Sequence, residues 1–139
     1  MKLVPILEKS IVPTTSCAEA HEQTLKYYKI IGYNEPWISY YLQDVNEIVG
    51  ICSFKGKPDE DNRVEIAYWT FEPYQGLGYG SKMCALLVEI TKAYNNLVVS
   101  AQTMPEFNAS TTILTKNGFH HIGNATDSEV GEVWEWVLE

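Results

Sequence analysis

Apolar residues recur along the chain with two different periods, and those periods divide it into helices and strands. Ala20, Thr24, Leu25, Tyr28 and Ile31 fall on one face of a helix. Ser16-Cys17-Ala18-Glu19 precedes them as a capping box, which predicts Ser16 at the N-cap and Glu19 at N3, with Gly32 just past the end. Met83, Leu86, Leu87, Ile90 and Tyr94 form a second core-facing stripe. Asn108 to Asn117 predicts a short third helix, ended by Gly118.

The segments between show the shorter period. Trp37–Leu42 and Glu47–Phe54 predict two strands joined at Asp44-Val45-Asn46, a hairpin. Pro58–Asn62 is a polar, exposed turn. Val64–Phe71 is apolar on both faces and so belongs at the centre of a sheet. Leu97–Ala101, Phe119–Ile122 and Glu132–Leu138 are further strands. Trp134, Trp136 and Leu138 share one face of the last, Val133 and Val137 the other. The tryptophans, with Tyr27, Tyr28, Tyr40 and Tyr41, are expected to pack the core or wall a site. His120 and His121 are adjacent in a strand, point to opposite faces and cannot chelate one ion together. Helix, hairpin, central strand, helix, strand, helix and two strands predict an α/β (mixed α+β) fold, one domain over residues 1–139.

Composition narrows the partners. Apolar residues make up 45% of the chain, which suits a packed core. Ten basic against eighteen acidic residues give a net charge of −8, and Arg63 is the only arginine. Phosphate backbones and anionic lipid repel such a surface, so neither nucleic acid nor membrane is expected as a partner. Cationic amines suit it, though solubility accounts for the charge equally well. Cys17, Cys52 and Cys84 are odd in number and far apart, with no Cys-x-x-Cys. They predict buried thiols in a reducing compartment and no metal site. The apolar run Leu3–Leu7 is broken by Pro5 and closed by Glu8, so neither a signal peptide nor a membrane span is expected. A cytoplasmic location follows as the expectation.

The candidate chemistry lies between Phe71 and Ser81. Gly76, Gly78 and Gly80 alternate where a buried strand gives way to a helix. Glycines let a ligand approach the backbone, and free N–H groups at a helix start attract anions. A Walker A loop counted from Gly76 needs Gly-Lys-Ser/Thr, and Ser81 already breaks the register. A Rossmann fingerprint fails at the same residue. Gln75, Gly78 and Gly80 match the remaining pattern, Gln/Arg-x-x-Gly-x-Gly/Ala.

That segment resembles the acetyl-coenzyme A pyrophosphate loop of the GCN5-related N-acetyltransferase (GNAT) superfamily. The strand Val-Glu-Ile-Ala-Tyr-Trp before it is similar to the branch of ribosomal-protein N-terminal acetyltransferases. Asn108-Ala109-Ser110, then Leu114, Lys116, Gly118 and Phe119, resemble the family's last helix and its Lys-x-Gly-Phe ending. The resemblance covers roughly residues 48–123. It implies a mostly antiparallel twisted sheet flanked by helices and splayed between its fourth and fifth strands. It also implies transfer of acetyl from acetyl-CoA to a primary amine by direct attack, without a metal. The acceptor would be a small-molecule amine or a protein N-terminus, and a homodimer is compatible with the family.

Roles follow residue by residue from the same resemblance. The pantetheine arm would lie along Tyr68, Trp69, Thr70 and Phe71, and the pyrophosphate on Gln75, Gly76, Leu77, Gly78, Tyr79, Gly80 and Ser81. Asn108 would lie near the arm, although a helix cap explains it more simply. Glu65 would take the amine proton, against a plain ion pair with Lys55 or Lys57. Ser110 would protonate the leaving thiolate, against a first-turn hydroxyl. Two positions depart from the family. Phe107 stands where many relatives carry asparagine, and Leu114 where many carry the tyrosine that acts as acid. A non-catalytic acyl-CoA-binding module is therefore the alternative, and the failed Walker and Rossmann spacings disfavour a nucleotide-binding domain.

Overall fold

The first helix begins two residues earlier than a capping box at Ser16 predicts. Thr14 is its N-cap, and its hydroxyl accepts the N–H of Cys17 at 3.1 Å. Ser16 therefore sits inside the first turn of α1 (Thr15–Ile31), and Glu19 lies beyond the N3 position. Two hydroxyls compete for one cap, and only Thr14 has the extended backbone a cap requires. Gly32 ends the helix as expected, at φ 87°, with its N–H returned to the Tyr28 carbonyl. The computed structural model describes residues 1–10 and 14–138.

Among the described residues, seven strands form one sheet in the order β1-β2-β3-β4-β5-β7-β6. β1 (Lys2–Pro5) is an edge strand that no sequence signal announced, paired to β2 (Ser39–Asp44). Pro5 is tolerated there because an edge leaves one row of backbone groups unpaired. β2 and β3 (Glu47–Phe54) form the expected hairpin, with Val45 at φ 57° in the turn. β4 (Arg63–Thr70) follows antiparallel to β3, and β5 (Val98–Thr103) runs parallel to β4. β6 (Phe119–Asp127) and β7 (Gly131–Leu138) close the sheet as a hairpin, with β6 five residues longer than its apolar start suggested.

The helices cover the two faces unequally. α2 (Tyr79–Thr91) and α3 (Ala109–Lys116) pack on the face carrying Phe54, Val64, Ile66 and Trp136. Met83, Leu87 and Leu114 are fully buried there, each contributing about 1.5–3 kcal/mol through burial. Gly50 lets α2 come down on the sheet, since a Cβ would stand 2.7 Å from the Trp69 carbonyl and 2.9 Å from Met83. α1 covers the opposite face over Ile6, Cys17, Tyr41 and Phe71.

The parallel pair β4–β5 is short. Arg63–Ile66 lie opposite Val98–Ala101, and there the ladder stops. Ala67–Thr70 stay on β3, while Gln102 and Thr103 follow β7. The sheet therefore splays, and among the described residues no strand lies beside the outer edge of β4 from Ala67 to Thr70. Backbone groups on such an edge form a template for an extended ligand.

Candidate functional site

The splay opens into a cleft of about 620 Å³ between β4, the glycine loop and α3. It brings together most of the residues singled out from sequence. Tyr68, Trp69 and Thr70 come from the strand, and Gln75, Gly76, Gly78, Tyr79, Gly80 and Ser81 from the loop and helix start. Asn108 and Ser110 come from the start of α3. Phe71 does not join them; it is buried under α1 with Ile6, Cys17 and Tyr41. Leu77 also lies outside the lining, with its side chain exposed.

The start of α2 is left open. A 3-10 turn (Glu72–Tyr74) follows β4, then Gly76 at φ 81° and Gly78 at φ 87° swing the chain into the helix. Gly78 is the N-cap and has no side chain to offer, and the first turn carries no acidic residue. The first internal bond runs from Lys82 N–H to the Gly78 carbonyl at 3.2 Å. The N–H groups of Tyr79, Gly80 and Ser81 precede it and have no partner inside the helix. A Cβ built on Gly76 or Gly78 would meet nothing within 4 Å, so space stands open above this backbone. Gly80 differs, because its Cβ would lie 2.7 Å from Ile113 Cδ1. That glycine lets α2 and α3 pack closely.

Side chains fix the loop from outside. Gln75 Nε2 donates to the Thr70 carbonyl at 3.0 Å, tying the loop to the end of β4. Tyr79 donates to Asp44 Oδ2 at 2.6 Å, and that bond, with burial, raises its phenol above the usual range.

α3 forms the other wall. Asn108 Oδ1 accepts the N–H of Thr111 at 3.2 Å, and Thr111 Oγ1 accepts the N–H of Asn108 at 2.9 Å, a complete capping box. Ala109, Thr112, Ile113 and Lys116 share one face of α3, and that face lines the cleft. Each end of the helix is tied across it. The Tyr68 hydroxyl donates to the Ser110 carbonyl at 3.3 Å, and Asn117 Nδ2 donates to Ser81 Oγ at 3.2 Å. These anchors stand seven positions apart along the helix, about 10 Å of rise. The cleft thus has one end at Tyr68 and Ser110 and another at the open start of α2. Burial raises the Tyr68 phenol well above its usual value, so it stays protonated.

Glu65 lies on the opposite face of β4 from Tyr68, one pair before the splay begins. Lys55 Nζ stands 2.7 Å from its Oε2, at an angle that makes an ion pair and no hydrogen bond. The side chain is 26% exposed. Leu114 is fully buried in the core and does not reach the cleft. Phe107 is 85% exposed and meets Trp134 edge-on at 5.0 Å. Trp136 is buried and donates to Thr103, while the exposed His121 stacks on both tryptophans. Thr112, Ile113, Lys116 and Asn117 were not singled out as site residues. The i, i+3, i+4, i+7 spacing from Ala109 to Lys116 is the signal that could have found three of them.

The sequence model of the acetyltransferase (GNAT) domain matches residues 7–120. Among solved structures, RimL, a ribosomal L7/L12 alpha-N-protein acetyltransferase in an apo crystal form, superposes with a TM-score of 0.74 at 18% identity. That match covers 97% of this chain and 90% of that one. A spermidine N-acetyltransferase, a SpeG chimera from Vibrio cholerae and hSSAT, gives 0.71 at 13% identity, over 99% and 95% of the two chains. The microcin C7 self-immunity acetyltransferase MccE, solved with acetyl-CoA and AMP, gives 0.69 at 16% identity, over 88% and 69%. At such identities the likeness is one of fold. No curated protein matches the chain.

Proposed function

The chain belongs to the GNAT acetyltransferase family, and from that premise we propose that it moves the acetyl group of acetyl-CoA to a primary amine by direct attack. One observation carries the reading: an unpaired strand edge, Ala67–Thr70, is followed, through one 3-10 turn and the glycine loop, by a helix start whose N–H groups are open. The pantetheine arm would lie along Tyr68–Thr70 like an added strand, with the pyrophosphate on Tyr79, Gly80 and Ser81. The thioester then falls near Tyr68 and Ser110. Backbone donors on β4 and proximity supply most of the rate.

The acceptor enters from the face that carries Glu65, Ala67 and Trp69. Its neutral nitrogen attacks the thioester carbonyl carbon, the C–N bond forms and the C–S bond breaks. Glu65 takes the amine proton, directly or through a water, and the Ser110 hydroxyl relays a proton to the leaving thiolate, regaining one from solvent water so that it ends the step as a hydroxyl. Lys55 engages Oε2, which leaves Oε1 for this work. The acceptor is a small-molecule amine or a protein N-terminus, in keeping with RimL and the spermidine enzyme among the structures of this fold. Three cysteines, all free and buried, suit a cytoplasmic setting.

A second reading has its own support. Leu114 is sealed in the core where many relatives carry an acid, and Glu65 is ion-paired. Both fit a module that binds acyl-CoA without turning it over. Release of free thiol from acetyl-CoA with a panel of amines separates the two. Turnover is expected, and Glu65→Gln should lower it by roughly 10²–10⁴-fold with acetyl-CoA affinity kept. The loss should shrink at high pH, where more amine arrives neutral. Saturable binding with no turnover would favour the module.

A further inference from the structure

Coenzyme A carries three phosphates, and the open start of α2 accounts for two. We propose that Lys116 reads the third, the phosphate on the ribose 3′ oxygen, and so makes the protein prefer coenzyme A to its 3′-dephospho form. The inference rests on the acetyl-CoA reading above. Among the described residues Lys116 is the only cationic side chain lining the cleft, and no carboxylate pairs with it. Asn117, the next residue, is bonded to Ser81 in the first turn of α2. The last turn of α3, which carries Lys116, thereby stands beside the start of α2, at the pyrophosphate end of the cleft and away from Tyr68 and Ser110. Lys116 also sits in the last turn of α3, where a cation favours the helix dipole. That would explain a charge on any face of the helix; it does not explain one on the face that lines the cleft.

The test is a binding cycle by calorimetry, with coenzyme A and 3′-dephospho-coenzyme A as the probes and Lys116→Gln as the variant. Lys116 is exposed, so the variant keeps the fold. Coenzyme A should lose about fivefold in affinity, the scale of one exposed charge pair. The dephospho form should be bound equally by both proteins, and added salt should shrink the difference. Lys116→Arg should restore the preference. Equal losses on both probes would place the ammonium on the pyrophosphate and overturn the proposal, and no loss on either would leave it a helix-end charge. A wild-type chain that bound neither probe would sink the acetyl-CoA reading, and Lys116's role with it.

Discussion

Two helix starts face each other across the same cleft, and they are built in opposite ways. α3 closes its own N–H groups with a reciprocal pair, Asn108 and Thr111. α2 begins at Gly78, with no side-chain cap and no acidic residue in its first turn. A helix end lined by polar space and left unsatisfied costs stability unless water or a ligand supplies the missing acceptors. The closed start is thus structural and fixes where Ser110 stands. The open one holds the free donors of the cleft. The contrast also separates the three loop glycines, which look alike in sequence, because of these Gly76 and Gly78 have the left-handed backbone and the open space and Gly80 has neither.

Blocking the open start should give the largest effect. Gly78→Val places a branched side chain at φ 87° and over the backbone donors. Losing one or two charge-assisted bonds to the pyrophosphate should weaken acetyl-CoA binding by roughly 100-fold. Gly78→Asn tolerates the left-handed backbone and separates strain from occlusion. Its thermal stability should stay near wild type, with affinity still reduced. Calorimetric affinity together with a thermal melt reads both. Unchanged affinity in a folded Gly78→Val protein would end the comparison, because the open donors would then bind nothing.

The closed start should respond in the other quantity. Asn108→Ala removes the acceptor for the Thr111 N–H, and a lost cap costs about 1 kcal/mol. The melting temperature should fall by about 3–5 °C, while acetyl-CoA affinity changes less than about twofold. A large loss of affinity with no loss of stability would mean that the amide serves the ligand after all.

Legibility in the sequence follows the same division between local and distant chemistry. Asn108 as cap, Gly32 and Gly118 as helix ends and the Gly76–Gly78 turn depend on neighbours within a few residues, and spacing alone reveals them. β1 was invisible because its partner Tyr40–Gln43 lies far along the chain and Pro5 argues against a strand. The far half of β6 was missed because its alternation is polar on both sides. Phe71 belongs to the sequence's apolar strand but turns into the core under α1. The ion pair at Glu65 needs Lys55, which the β3–β4 register brings alongside. Lys116 was read only as part of a helix ending, since its place on the cleft depends on how α3 packs against α2.

Gly80→Ala should give the smallest effect and decides whether the three glycines share one reason. Position 80 is the second residue of α2 and has an ordinary helical backbone, so alanine there gains up to about 1 kcal/mol of helix propensity. Against this, the new Cβ would stand 2.7 Å from Ile113 Cδ1, the tip of a side chain that can turn. Moving it off its preferred rotamer costs about 0.5–1.5 kcal/mol. The two nearly cancel, so stability should change by less than about 1 kcal/mol. Its N–H is untouched, and acetyl-CoA affinity should fall no more than about threefold, through the displaced Ile113 narrowing the cleft. Melting temperature and calorimetric affinity on the same preparation give both numbers. A collapse of affinity as deep as that of Gly78→Val would show that the ligand approaches Gly80 as closely, and the α2–α3 contact would no longer explain this glycine.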